Sequence, residues 1–265
     1  MSPTGWHPSP TPTRAPPAAR TRSPPPTATL SGGTATTTHV FSGTSGSPYT
    51  LTAAHNGDAS FTASSGTDTQ TVNQSTTTTT LTSTPDPSVV GQTVTVKATV
   101  ASGSGAPSGT VSFVFGDGTS PATAALSGGT ASVTHPYTTT TGSPFTLTAA
   151  YSGDTSFTAS TGTDTQTVNR AATTSAVIST PNPSSTGERV TVTATVAPVA
   201  PGAGTPTGTV TLAVTGRTPQ TVALTNGTAT ATFSPLPKGT HSVTANYNGD
   251  VGFTSSTGTA VHTVA

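Results

Sequence analysis

The stretch "SGDTSFTASTGTDTQTVN" at Ser152–Asn169 is spelled almost letter for letter by "NGDASFTASSGTDTQTVN" at Asn56–Asn73, and more loosely by "NGDVGFTSSTGTAVHTVA" at Asn248–Ala265. Gly57, Gly153 and Gly249 recur at a constant step of 96 residues. That step is the length of one small all-β domain, so the chain reads as a tandem array.

Composition narrows what each unit can be. Of 265 residues only 30% are apolar and 6% charged, and threonine makes up about a quarter. Cores must therefore be built from Val, Ala, Leu and a few aromatics. Eight basic and eight acidic residues cancel, whereas disorder favours high net charge together with low hydrophobicity. Neutrality also argues against nucleic acid or an anionic membrane as partner, because both recruit clustered Lys and Arg. Arg14, Arg20 and Arg22 do cluster, in a proline-rich tail. With no cysteine there is neither a disulfide nor a thiolate metal site. No segment reaches the length of a membrane span, and no secretion signal is visible.

The middle repeat, 75–170, can be read strand by strand. Pro85 and Pro87 in "TPDPSVVG" mark a turn. "QTVTVKATV" alternates, placing Val94, Val96, Ala98 and Val100 on one face and Thr93, Thr95, Lys97 and Thr99 on the other. "GTVSFVF" directs Val111, Phe113 and Phe115 inward, and "FTLTAAY" does the same with Phe145, Leu147, Ala149 and Tyr151. "ATAALSGGTASVTH" reads as two strands joined at Gly128 and Gly129. The third repeat, 171–265, spells that turn Asn226-Gly227, a strong hairpin signal because both residues favour positive φ. Its substitutions keep the inward parity, with Val190 and Val192 for Val94 and Val96, Leu212 for Phe113 and Val243 for Leu147. Seven short strands per repeat without helical periodicity predict tandem antiparallel β-sandwiches of the immunoglobulin type.

The first repeat is incomplete. Residues 28–74 carry only its C-terminal strands, and residues 1–27 are too rich in proline for ladder strands, which predicts a disordered or polyproline tail. The expectation is a fragment of a longer secreted array.

"TSTPDPSVVGQTVTVKATV" with "ISTPNPSSTGERVTVTATV", "SGTVSF" with "TGTVTL", and "TAAYSGDTSF" with "TANYNGDVGF" resemble the bacterial Ig-like domain repeats of secreted and surface proteins. The likeness covers residues 28–265. The middle repeat also resembles a PKD domain through "FGDGTS" (Phe115–Ser120) and "THPY" (Thr134–Tyr137), though Val114 stands where that family usually has an acid. Either resemblance implies a secreted or cell-surface spacer, stalk or adhesion module without catalysis. Its partners would be neighbouring repeats and a cell-wall or host glycan or protein, and the chain would be a monomer.

The repeated polar residues are the candidates for chemistry. His135, matched by His39, gives way to Phe233, in line with a packing site near the sheet end. His55 takes the place of Tyr151 and Tyr247, and His241 that of Phe145, so these histidines read as aromatic filler. His7 and His262 have no partner legible in the sequence. Asp58, Asp154 and Asp250, with Asp68 and Asp164 ten residues on, invite calcium, which takes six to eight oxygen ligands. The alternative is an Asx turn after Gly153 and Gly249. Acids are few per repeat and Asp164 becomes Ala260, so the expectation is a turn, with no metal and no cofactor. Phe61, Phe157 and Phe253 are expected to plug the sandwich ends. Lys97 points to solvent, and an ester from the threonine run to Gln166 would not survive the change to His262. Threonine-rich outer faces follow from β-propensity, with O-linked sugars as the alternative. No nucleophile constellation is discernible.

Overall fold

The computed structural model describes residues 26–265. The tail expected at 1–27, with Trp6 and His7, lies outside the described residues except for its last two positions. The chain divides into two compact units, Met1–Ser42 and Gly43–Ala265, so the incomplete repeat expected at 28–74 straddles that division. In the first unit Ser31 and Thr34 exchange backbone bonds of 3.0 and 3.1 Å across a tight turn, and the exposed His39 meets Phe41 edge-on.

The second unit opens with a hairpin, β1 (Tyr49–His55) and β2 (Ser64–Gln70), paired with Thr52 opposite Thr67. β2 is exposed along its whole length. A nine-strand sandwich follows: β3 (Thr78–Thr84), β4 (Ser88–Val89), β5 (Thr93–Ala101), β6 (Thr110–Val114), β7 (Ala122–Ala125), β8 (Thr130–Pro136), β9 (Phe145–Tyr151), β10 (Ser160–Gln166) and β11 (Val168–Asn169). One sheet has the order β3-β5-β8 and the other β10-β9-β6-β7, both antiparallel, while β4 runs parallel to β11. The last sandwich repeats this with β12 (Thr173–Thr180), β13 (Val190–Pro198), β14 (Thr209–Val214), β15 (Gln220–Ala223), β16 (Thr228–Phe233), β17 (Gly239–Tyr247) and β18 (Ser256–Val264), ordered β12-β13-β16 and β15-β14-β17-β18. These are immunoglobulin-like sandwiches.

Alternation explains both cores. Val94, Val96, Ala98 and Val100 of β5 face Val111 and Phe113 of β6 and Leu147 and Ala149 of β9 across the sandwich interior, all buried. Thr93, Thr95, Lys97 and Thr99 are exposed on the other side. The period of two sorts the side chains, and each buried Val or Leu contributes about 1.5–3 kcal/mol of burial.

Two expectations are corrected. The turn at Gly128-Gly129 and Asn226-Gly227 has positive φ throughout (56° and 75°, 50° and 73°), and each is closed by its own pair of backbone bonds. It is nevertheless a corner between sheets and not a hairpin, because β7 pairs with β6 while β8 pairs with β5. Gly129 O instead accepts from Val100 N at 2.8 Å. Phe61 plugs nothing: it is 69% exposed, against 8% for Phe157 and 5% for Phe253. Among the described residues only the two later copies have a closed sandwich beneath the ring.

The three phenylalanines make a test within one chain. Phe157→Ala empties a packed site and is expected to cost about 3 kcal/mol, while Phe61→Ala should stay within about 0.5 kcal/mol of the parent. Urea unfolding of the two variants measures the difference.

Candidate functional site

Three polar clusters hold the residues singled out from the sequence, and each is built by a different piece of backbone. The first is the loop after β9 and β17. Gly153 has φ +78°, and a Cβ there would sit 3.0 Å from Ala159 N and Phe157 O, so the chain needs glycine to fold back on itself. The turn then presents Asp154 to its own amides: Ser156 N–H and Phe157 N–H donate to Oδ1 at 2.8 and 2.9 Å. Across the loop, Ser108 N–H and Oγ–H donate to Oδ2 at 2.9 and 2.7 Å. Asp250 repeats the arrangement with Gly252, Phe253 and the two donors of Thr207. Each carboxylate thus ties two loops of its sandwich together. The Ser108 hydroxyl, with help from the three amides, holds the Asp154 carboxyl down at about 2.

Asp58 accepts Ser60 N–H and Phe61 N–H at 2.7 and 2.8 Å. The counterpart of Ser108, Pro12, lies outside the described residues. Asp164 sits on β10 opposite Leu147 and accepts from Ser83 Oγ at 3.1 Å, four ladder positions from the end at Tyr151. The calcium candidates are therefore not brought together. Among the described residues no group of three His, Asp or Glu side chains is placed to hold a metal ion. Tyr151 and Tyr247 stand beside the aspartates with buried hydroxyls, and burial, then the neighbouring negative charge, pushes both phenols up.

The second cluster lies at the other end of the middle sandwich. His135 Nε2 is 2.7 Å from Asp117 Oδ2, its ring stacks on Phe115 at 4.0 Å, and Tyr137 meets it edge-on. Burial acts to raise the Asp117 carboxyl, but bonds from Thr119 Oγ–H and N–H and from His135 outweigh it and hold it below its ordinary value. His135 is packing, as its parity implied, with an acid partner that the strand pattern did not reveal. The signal was present in the "FGDGTS" turn, but only the fold brings that turn to β8.

The third cluster is where the repeats differ most. Gln166 closes β10 fully buried, and its Nε2 faces Pro85 O and Thr167 O at 3.0 Å, Ser88 Oγ at 3.2 Å and Asp86 Oδ1 at 3.3 Å. His262 fills the same place in β18, with Ser179 Oγ 3.0 Å from Nδ1 and Ser184 Oγ 2.9 Å from Nε2. Asp86 and Asn182 each accept the backbone amide just after the clasp residue, Thr167 N–H and Thr263 N–H, at 2.8 and 2.9 Å. Gln166 and His262 are interchangeable clasps between the first and last strands. Burial, then the charge of His241, lowers the His262 imidazole below its ordinary value. None of the three clusters leaves a nucleophile, base and orienting group aimed at open space.

Residues 81–169 and 177–265 each match the family model described as bacterial Ig-like domain (group 3). No curated protein matches the sequence. Solved structures with a similar fold include the tetra-tandem repeat in the extending region of a large adhesion protein, at 18% identity and TM-score 0.40, covering 81% of this chain and 56% of that one. A Ca2+-stabilised adhesin that helps an Antarctic bacterium reach out and bind ice aligns at 19% identity and TM-score 0.33, covering 82% of this chain and 57% of that one. The titin domains z1z2 in complex with telethonin align at 20% and 0.34, covering 73% and 98%. The chain spans less than two thirds of that Antarctic adhesin.

The clasp gives a pH signature. Because the folded state resists protonating His262, stability is complete above about pH 6.5 and falls as the pH drops below it, where the unfolded chain takes up the proton first. His262→Gln borrows the side chain of the preceding repeat and should remove that loss. Thermal midpoints of parent and variant between pH 5 and 8 measure it; a parent midpoint flat over that range contradicts the assignment.

Proposed function

Because the chain belongs to the bacterial Ig-like domain (group 3) family, we propose that it works as a non-enzymatic extracellular spacer or stalk, a segment of a secreted or cell-surface protein that holds other modules away from the cell. On this reading 75–170 and 171–265 are its two complete modules. The observation that carries it is the shortness of the joint: β11 ends at Asn169 and β12 begins at Thr173, which leaves three residues of connection and favours a semi-rigid array over a flexible linker. The Asp154, Asp250, His135 and His262 side chains are engaged in bonds within their own sandwiches. The outer faces are coated with Thr and carry little charge, which suits a surface that should bind few things by ionic attraction.

An adhesive module recognising glycan is the second reading. It needs an exposed aromatic platform, and Phe113, Phe115, Phe145 and Tyr151 are buried in the middle sandwich. Among the described residues no helix is long and apolar enough to cross a membrane.

Two measurements test the spacer. Thermal unfolding with millimolar calcium and with chelator should give the same midpoint, since Asp154 and Asp250 already accept four donors each; a clear rise with calcium would make them ligands of a metal-stiffened rod. Antibody or protease applied to intact cells producing the parent protein should reach the repeats. Protection until lysis would overturn the extracellular assignment.

A further inference from the structure

The two sandwiches meet through a small interface with two separable parts. The first is a polar strap. Thr140 Oγ1 donates to Val251 O at 2.6 Å, and 96 residues earlier Thr44 Oγ1 donates to Thr155 O. The same hydroxyl thus reaches the same loop carbonyl of the following sandwich at both joints. The second is an apolar corner, which the described residues show only once. Val90, between β4 and β5, is 2% exposed although it belongs to no strand. Its methyl carbons lie 3.5 and 3.6 Å from the place a Cβ would take on Gly252 of the last sandwich, and its carbonyl accepts Ala203 N–H at 3.2 Å. Gly91 follows with φ +79°, and a Cβ on it would fall 2.2 Å from Ala203 O and 2.5 Å from Ala203 N. These are backbone atoms that cannot yield, so the corner and the loop at 199–204 approach as closely as bare backbone allows.

We propose that the Val90-Gly91 corner is a plug, seated in a socket made by Ala203 and Gly252 of the last sandwich, and that this seat, more than the strap or the short connection, sets the angle between the two sandwiches. The partner this surface fits is the exit end of an Ig-like repeat that carries an apolar residue followed by glycine between its second and third strands. The socket is shaped for it: the middle sandwich has Ser156 where the last has Gly252, both donating their amide to the preceding aspartate. A side chain is therefore compatible with that loop itself, and the bare glycine serves what docks on it. The third repeat has Thr186-Gly187 at the plug position, so the corner is not a requirement of the sandwich that bears it. This inference deepens the spacer reading by naming what keeps two repeats in line.

Because the chain has no cysteine, spin labels can be placed at will on the exposed Lys97→Cys and Lys238→Cys, one on each sandwich, in the full chain. Pulsed dipolar spectroscopy of that pair is expected to give one narrow distance distribution. Val90→Asp should broaden it severalfold by expelling the plug, and Gly252→Leu should do so by filling the socket. Thr140→Val, which cuts only the strap, should leave it narrow. Circular dichroism and cooperative melting of each variant report whether both sandwiches remain folded, and Gly252→Ser, copied from the preceding repeat, is the control for folding of the loop that bears a side chain. The proposal is overturned by a distribution that is broad in the parent, by one that stays narrow in folded Val90→Asp or Gly252→Leu, or by Thr140→Val broadening it as much as they do. Each of these results leaves the extracellular spacer reading standing, since cell-surface accessibility decides that separately.

Discussion

Everything in these sandwiches depends on strict alternation between small apolar residues and threonine. A chain with so few apolar residues can spend few of them on its outer faces, Val114, Ile178 and Val261 being exposed ones, and period-two patterning in paired strands is the arrangement that sends most of them inward. Slipping any strand by one position would expose its valines and bury its threonines, so the register of β5 against β3 and β8 is determined by the core as firmly as by the hydrogen bonds. Threonine on the outside is not merely inert filler: its branched Cβ suits the extended backbone, and pairs such as Thr193 and Thr230 lie 3.3 Å apart across strands.

Small cores leave the ends of each sandwich as the weak points, because only a few large side chains such as Phe157 and Tyr137 seal the two sheets there. The polar clusters sit at those ends. Asp154 and Asp250 stitch two loops together at one end beneath Phe157 and Phe253, and Gln166 and His262 clasp the first and last strands toward the other. The repeats act as natural substitutions of each other. Ser108 becomes Thr207 with both of its donors kept, Asp86 becomes Asn182 with its acceptor kept, and Gln166 becomes His262 with the contact to the following serine kept. What persists is the hydrogen-bonding role and not the residue.

Much of the fold was legible because period two is a local property: the parity of Val94, Phe113, Leu147 and their counterparts could be read without knowing any neighbour. The Asx turn at Asp154 was legible too, since Gly and Asp adjacent in sequence satisfy it with their own amides. Long-range partners were not. Asp117 reaches His135, and Ser179 reaches His262 from 83 residues away, through pairings that depend on which strands become neighbours. The glycine turn at 128–129 looked like a hairpin for the same reason: turn geometry is local, but the choice of sheet for the strand beyond it is set by the core. Phe61 departs from its copies because identical words do not guarantee identical surroundings, and it has no second sheet over it among the described residues.

The joint follows from the same economy. A sandwich that seals its ends with loops presents backbone carbonyls and glycines to whatever comes next, and a partner can approach only by matching that bare backbone closely. Close backbone approach is unforgiving, since a methyl group at Gly91 would need to occupy the space of Ala203 itself, so it defines an angle where a layer of flexible side chains would permit a range. The strap contributes one hydroxyl bond that solvent can replace, and the three-residue connection is bonded through Ala171 to Gly252 O and Thr254 N–H at 2.9 Å each, which fixes where the chain enters the last sandwich. Orientation must then come from the contact that is both apolar and free of adjustable atoms. That contact is the seat of Val90 against Gly252, and the stiffness of the array is decided there.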